Sequence, residues 1–162
     1  MRKIGLRVGL IMCGVLTFCL QLAGQTLQIT DESGHSTSFS PAEISKLPHV
    51  TVDVKDRDTP ARFEGVPLSA LLSSVGIPMG DKLKGPLLAE GVLIEAADGY
   101  KVLFALAEFD PAFATREIIL ADKRDGRPLD GKEGPFRVVA PSDKRPARWI
   151  RQVATMKVVL VK

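Results

Sequence analysis

The residues best equipped for chemistry lie in one stretch, GPFRVVAPSDKRPARWIRQVATMKVVLVK, from Gly134 to Lys162. Lys144, Arg145, Arg148 and Arg151 put four cations within eight residues around the only tryptophan, Trp149, and Arg137 stands on the apolar run before them. Charges of one sign at that density repel unless water or an anion faces them. One reading is an anion site for a phosphate, a carboxylate or a partner's acidic patch, each charge-assisted hydrogen bond contributing roughly 1.5–3 kcal/mol where partly buried. The other is a solvated loop whose arginines pair with Asp122, Asp125, Asp143 or Glu133. Pro141 and Pro146 stiffen the loop under either reading. Arg137 is the sharpest member, because a charge inside an apolar strand requires a partner. Trp149 has two uses, stacking on a flat ligand or an arginine, or sealing the core. Asp98-Gly99-Tyr100 is first a turn, with the Tyr100 hydroxyl free to serve that turn or a ligand.

Other candidates carry less. His35 and His49 are separated by a helical segment and lack cysteine support, so no zinc site is expected. Asp53, Asp56 and Asp58 alternate along a strand and loop without a glycine-turn calcium pattern, and read as a wet face. Ser69, Ser73 and Ser74 have no base partner and no nucleophile-elbow pattern, which argues against hydrolase chemistry. The residues alone nominate neither a catalytic side chain nor a metal ligand.

The first 24 residues change the global reading. Arg2, Lys3 and Arg7 precede an apolar run from Val8 to Leu22 and the small pair Ala23-Gly24, the layout of a signal peptide over 1–24, with an uncleaved anchor as the alternative. Gln25 follows Leu22-Ala23-Gly24 where a lipoprotein would need cysteine, and Phe18 before Cys19 is too bulky for that signal. The net charge of +3 is carried wholly by the leader, leaving residues 25–162 close to neutral, so binding to nucleic acid is not expected. Both cysteines, Cys13 and Cys19, leave with it, so the remaining chain offers no disulfide and no thiolate. Arg2-Lys3 is not a twin arginine. The expected location is therefore the bacterial periplasm or the medium, reached by the general route, with no stable membrane span once the leader is gone.

The elements that must position these residues can be read in order. Leu27–Thr30 and His35–Phe39 flank a turn-rich tetrapeptide and predict a hairpin. Ser40-Pro-Ala-Glu43 is a capping box that predicts a helix from Pro41 to Leu47, ended by Pro48. Val50–Val54 alternates as a strand with one wet face, and Lys55–Pro60 reads as a loop. Leu68, Leu71, Leu72 and Val75 form one helical face entered through Pro67 and stopped by Gly76. Ile77–Ala89 is a connection. Gly91–Ala97, Asp98-Gly99 and Tyr100–Leu106 make the clearest hairpin. Ala107–Phe113 predicts a helical turn, Glu117–Ala121 a central strand, and Phe136–Val139 and Val158–Val161 two further apolar strands. The result is about seven or eight strands with two or three short helices, an α+β class in which a mostly antiparallel sheet system dominates.

Phe63-Glu-Gly-Val-Pro-Leu-Ser-Ala-Leu-Leu72, Ala97-Asp-Gly-Tyr100, Ile119-Leu-Ala121 with Asp125-Gly-Arg-Pro-Leu129, Gly134-Pro-Phe-Arg-Val-Val-Ala-Pro141 and Arg148-Trp149 follow one another in an order that resembles the oxidoreductase molybdopterin-binding domain of the sulfite oxidase family. The resemblance spans Val50 to Val161. It implies a β-rich mixed fold whose cofactor phosphate is held by basic residues and backbone amides, which makes Arg137, Lys144, Arg145, Arg148, Trp149, Asp98 and Tyr100 the candidate cofactor-binding residues. In that family one cysteine binds molybdenum, just past a strand that by order falls near Val54. No cysteine stands there, so molybdopterin is implied by the resemblance alone and molybdenum is not expected. Exported molybdenum enzymes cross folded through the twin-arginine route, and this leader lacks its signal.

Three readings of function follow. The first is an exported sulfite-oxidase-like domain that binds an anionic small molecule or a protein partner through a basic pocket, without molybdenum redox chemistry of its own. The second is a molybdopterin-dependent oxidoreductase of sulfite oxidase type whose metal is ligated by non-protein atoms or another chain. The third is a non-catalytic adaptor of a membrane-associated redox or signalling system.

Overall fold

The computed structural model describes residues 25–160. The signal-peptide reading of 1–24 and the place of Val161 in the last strand lie outside the described residues. The chain begins with β1 (Leu27–Thr30) and β2 (Ser36–Phe39), the expected hairpin. Helix α1 (Pro41–Ile44) starts on the predicted capping box, with the Ser40 hydroxyl accepting from Glu43 N and the Glu43 carboxylate accepting from Ser40 N. It stops three residues short of the expected Leu47, because Lys46 and Leu47 bond three residues back in tighter turns.

β3 (Val50–Asp56) and β4 (Thr59–Pro67) then form a tight hairpin where the sequence suggested a loop over Lys55–Pro60. Arg57 (φ 50°) and Asp58 (φ 70°) both sit in the left-handed region, as a two-residue turn between strands demands. Neither residue advertises that turn as Asn-Gly would. Helix α2 (Leu68–Ser74) buries Leu68, Leu71 and Leu72. The connection that follows carries two short 3-10 turns, Gly80–Lys82 and Gly85–Ala89.

β5 (Glu90–Ala96) and β6 (Lys101–Ala105) are the predicted Asp-Gly hairpin, followed by a 3-10 turn at Leu106–Phe109. β7 (Ile119–Arg124), the two-residue β8 (Arg127–Pro128), β9 (Arg137–Val139) and β10 (Val153–Leu160) complete the chain, with a 3-10 turn at Pro146–Arg148 before β10.

Two five-stranded sheets result, one ordered β2-β1-β10-β5-β6, the other β3-β4-β7-β8 with β9 also on β7. Only β1 and β10 run parallel among the described residues. The extra strands relative to the sequence reading are β4 and β8. β4 escapes pattern reading because its second half, Gly65-Val66-Pro67, is buried throughout instead of alternating. Gly65 lets β4 approach β7 closely, since a Cβ there would lie 2.2 Å from the Leu120 carbonyl oxygen.

One hydrophobic cluster draws on both sheets, joining Leu27, Val92, Phe104 and Met156 of the first to Phe63, Ile119, Leu120 and Val138 of the second. One backbone carbonyl of the edge strand β3 is taken by a side chain. Arg116 donates from Nη2 to the Asp53 carbonyl at 3.3 Å and from Nη1 to the Pro141 carbonyl at 3.0 Å.

Candidate functional site

β9 is short and wholly buried, and it opens on Arg137, a side chain 1% exposed carrying a full charge. β9 pairs with β7 on one side and is pinned on the other by Val138 N to Ile150 O (2.8 Å) and Val153 N to Phe136 O (3.0 Å). That second seam brings Arg137 against the Trp149–Gln152 segment. Its Nη1 donates to Asp56 Oδ2 at 2.9 Å and to Glu133 Oε1 at 3.0 Å. Arg124, at the end of β7, reaches the same two oxygens at 3.3 and 3.2 Å. Two guanidinium groups and two carboxylates therefore form a largely buried cluster, extended at its exposed rim by Asp125, whose Oδ2 lies 3.6 Å from Arg124 Nε.

Both guanidinium groups lie over the Phe63 ring, Arg137 at 5.0 Å and Arg124 at 5.4 Å from its centroid, and Arg137 is also 5.7 Å from Trp149. Trp149 meets Phe63 edge-on at 6.4 Å and donates its Nε1 to the Ala140 carbonyl at 2.9 Å. It thus seals the core and holds the plane of the Arg137 guanidinium. Burial alone would raise the Asp56 carboxyl. The hydrogen bond and charge of Arg137, with the charges of Arg124 and Arg151, more than reverse this and hold it below the usual carboxylate range. The cluster leaves two buried atoms without a partner, Asp56 Oδ1 and Arg137 Nε.

Beside this cluster opens a cavity of about 340 Å³. Tyr100, Pro146 and Trp149 wall it; Arg57, Lys132, Arg137 and Arg151 bring positive charge to it from four separate segments. Asp98 is the one acidic residue lining it, and its Oδ1 already accepts from Tyr100 N at 3.0 Å. The Tyr100 hydroxyl donates to the Ala147 carbonyl at 3.0 Å, tying the β5–β6 turn to the 3-10 turn before β10. Among the described residues, Arg57, Lys132 and Arg151 make no ion pair.

Of the residues singled out in the sequence, Asp98, Tyr100, Arg137 and Trp149 are brought together on this cavity, whereas Lys144, Arg145 and Arg148 are not among its lining. Lys144 and Arg145 are exposed on the loop beyond Pro141. Arg148 faces a different cavity, of about 350 Å³, beside Phe113, Ile118 and Ala140. There it grips Asp143 through Nε and Nη2 (3.0 and 2.6 Å) and Glu108 through Nη1 (2.9 Å), and lies 4.3 Å above Phe104. The bond to Asp143 foremost, and the one to Glu108, raise its pKa. Sequence reasoning did not place Arg57 or Lys132 at the site. Arg57 sits where a left-handed turn normally takes Asn, Asp or Gly, which is the only signal it gives.

The donors for a metal are a separate matter. Among the described residues no grouping of three or more His, Cys, Asp or Glu side chains could hold one. Val54, nearest by order to the resembled family's metal-binding cysteine, lines a shallow depression with Asp53, Arg62 and Asp125 and brings no donor atom to the basic cavity. A thiolate-ligated molybdenum does not fit these residues.

The architecture can be compared with solved structures. Sulfane dehydrogenase SoxCD from Paracoccus pantotrophus superposes with a TM-score of 0.64 at 17% identity, covering 82% of this chain and 37% of that one. The fold is sulfite-oxidase-like. This bears out the β-rich α+β class and the predominance of antiparallel pairing; at that identity the likeness is one of fold. The chain spans little more than a third of the solved chain that it matches. No protein-family model and no curated protein matches the sequence. No described helix of the sulfite-oxidase-like fold is long and apolar enough to cross a membrane.

Proposed function

We propose that the protein is an exported domain of sulfite-oxidase-like fold that binds an anionic small molecule in the cavity between the Asp98 turn and the Arg137–Gln152 segment, and that it ligates no molybdenum through its own side chains. The observation that carries this is the lining of that cavity, where three cations without ion partners among the described residues stand beside a fourth that is buried. Charge left uncompensated in a concave, partly desolvated place favours an anion over bulk water. The leader's lack of a twin arginine supports export by the general route, unfolded and without cofactor.

The likeness to a sulfane dehydrogenase favours a second reading, in which a molybdopterin phosphate occupies the same cations and its metal is ligated by non-protein atoms or another chain. Elemental analysis of the exported protein, together with calorimetric titration against small carboxylates and phosphates, separates the two. The first reading expects no stoichiometric molybdenum and saturable anion binding that weakens with salt. Stoichiometric molybdenum would favour the second, and absence of any anion binding would remove the pocket from both.

A further inference from the structure

Beyond the anion-pocket reading, and against the second one, we infer that the chain supplies its own counter-anions to the arginines that the resemblance would give to a cofactor phosphate, so that the protein holds no molybdopterin, with or without a metal. The resemblance nominates Arg137, Lys144, Arg145 and Arg148 as the cations of a phosphate site. Arg137 is 1% exposed, and its Nη1 donates to Asp56 Oδ2 at 2.9 Å and to Glu133 Oε1 at 3.0 Å. Its Nε has no partner, but that atom is buried as well. A phosphate could reach this guanidinium only by displacing a carboxylate. Asp56, itself 6% exposed, would then be left charged and buried without its partner.

Arg148 is held in the same way at another place. Asp143 accepts from its Nε at 3.0 Å and its Nη2 at 2.6 Å, and Glu108 accepts from its Nη1 at 2.9 Å, so all three nitrogens already face carboxylates. Lys144 and Arg145 are exposed on the loop, outside the lining of the basic cavity, where water satisfies a cation without any ligand. The remaining candidates are engaged too. Trp149 is 4% exposed and packs against Phe63 and the Arg137 guanidinium, which leaves too little of its ring open to stack on a pterin. The Tyr100 hydroxyl donates to the Ala147 carbonyl, and the Asp98 carboxylate, which would repel a phosphate, accepts from Tyr100 N.

β3 shows how the exchange is made. By order the family's metal-binding cysteine falls near Val54, where no thiolate stands. Val54 and Asp56 are two positions apart on an alternating strand and therefore share a face. The strand that would bring a sulfur to a metal thus brings a carboxylate to Arg137. Arg57, Lys132 and Arg151 remain on the cavity, the first two exposed and the third half-buried, placed to meet an anion that exchanges with water. A retained cofactor has most of its surface buried, and the one buried cation of this cavity is Arg137.

The test uses the intact exported protein. It is incubated anaerobically with molybdopterin released from a molybdenum enzyme, desalted, oxidised and assayed for pterin fluorescence, which separates inability to hold the cofactor from never having met it. The expected result is loss of all pterin on desalting; pterin retained in fixed ratio to the chain overturns the inference. The second arm is chemical rescue of Asp56→Ala, whose missing carboxylate formate can replace. Formate should restore roughly half or more of the lost thermal midpoint where equal chloride does not, and should shift the wild type no more than chloride does. Asp56→Asn, which leaves no room for formate, should not be rescued. If formate neither stabilises Asp56→Ala nor recovers it in folded form, Asp56 is not a resident anion and the inference fails. Neither arm touches Arg57, Lys132 or Arg151, so the anion-pocket reading stands or falls by its own titration.

Discussion

Arg137 Nη1 and Asp56 Oδ2 meet at 2.9 Å across 81 positions of the chain, joining the end of β3 to the start of β9. This bond spans the second sheet from its outer strand to the strand beside the cavity. Asp56→Asn keeps the size of the side chain and removes the charge, leaving the buried Arg137 with Glu133 as its one ionised partner among the described residues. A loss of about 3 kcal/mol is expected in the denaturant midpoint, the usual consequence of removing one partner from a buried pair.

Acid should reveal the same bond. The Asp56 carboxyl lies below its ordinary value of 3.8 in the folded protein, so in the window beneath 3.8 the unfolded chain binds the proton first. Its contribution is complete above that value and drains away as pH falls through the lower, folded one. In Asp56→Asn this part of the acid slope should be missing when stability is followed from pH 5 downward.

Glu90 runs the other way. Burial first, then the charge and hydrogen bond of Glu32, raise its carboxyl above the ordinary 4.5. Between 4.5 and the raised value the folded state binds the extra proton, so this group's contribution falls as pH rises through that window. Glu90→Gln should therefore raise the thermal midpoint at pH 7, with the advantage vanishing below pH 4.5.

Gly65→Ala tests the seam between β4 and β7. The added methyl would stand 2.2 Å from a backbone oxygen that no rotamer change can move, so the strands must part. A loss of about 3 kcal/mol follows from overpacking at backbone, read as a lower urea midpoint.

Two arginines three positions apart should behave oppositely. Arg148→Gln breaks the grip on Asp143 and Glu108 in a half-exposed setting, so stability should fall by about 1 kcal/mol with anion affinity unchanged. Arg151→Gln should leave stability nearly intact and weaken anion binding. A spectroscopic binding titration on both variants, beside their melting curves, makes the comparison.

What the sequence disclosed was whatever is decided locally. The Ser40 capping box and the Asp98-Gly99 hairpin depend on residues a few positions apart, and both formed as read. β4 was hidden because Gly65 and Pro67 punctuate a strand whose partners, β3 and β7, supply the reason for it. The need of Arg137 for a partner was legible from its apolar neighbours; that Asp56 would supply it was not, since the acid lies across the sheet. Lys144, Arg145 and Arg148 looked like one group with Arg151 because they are close in sequence. The 3-10 turn at Pro146–Arg148 separates them, with Arg148 on Asp143 and Glu108 and Arg151 on the basic cavity. Arg57 and Lys132, which do join Arg151, come from turns that only the tertiary fold brings near.

In the first sheet, β10 lies between β1 and β5, so the segment nearest the start of the described chain leans on the segment nearest its end. Until Val153–Leu160 has been synthesised, Leu27–Thr30 has only Ser36–Phe39 to pair with, and two short strands do not hold together alone in water. Closure of the first sheet thus waits on the pairing of Gln28 with Thr155 and their neighbours, a contact distant in sequence of the kind that slows folding and makes it cooperative.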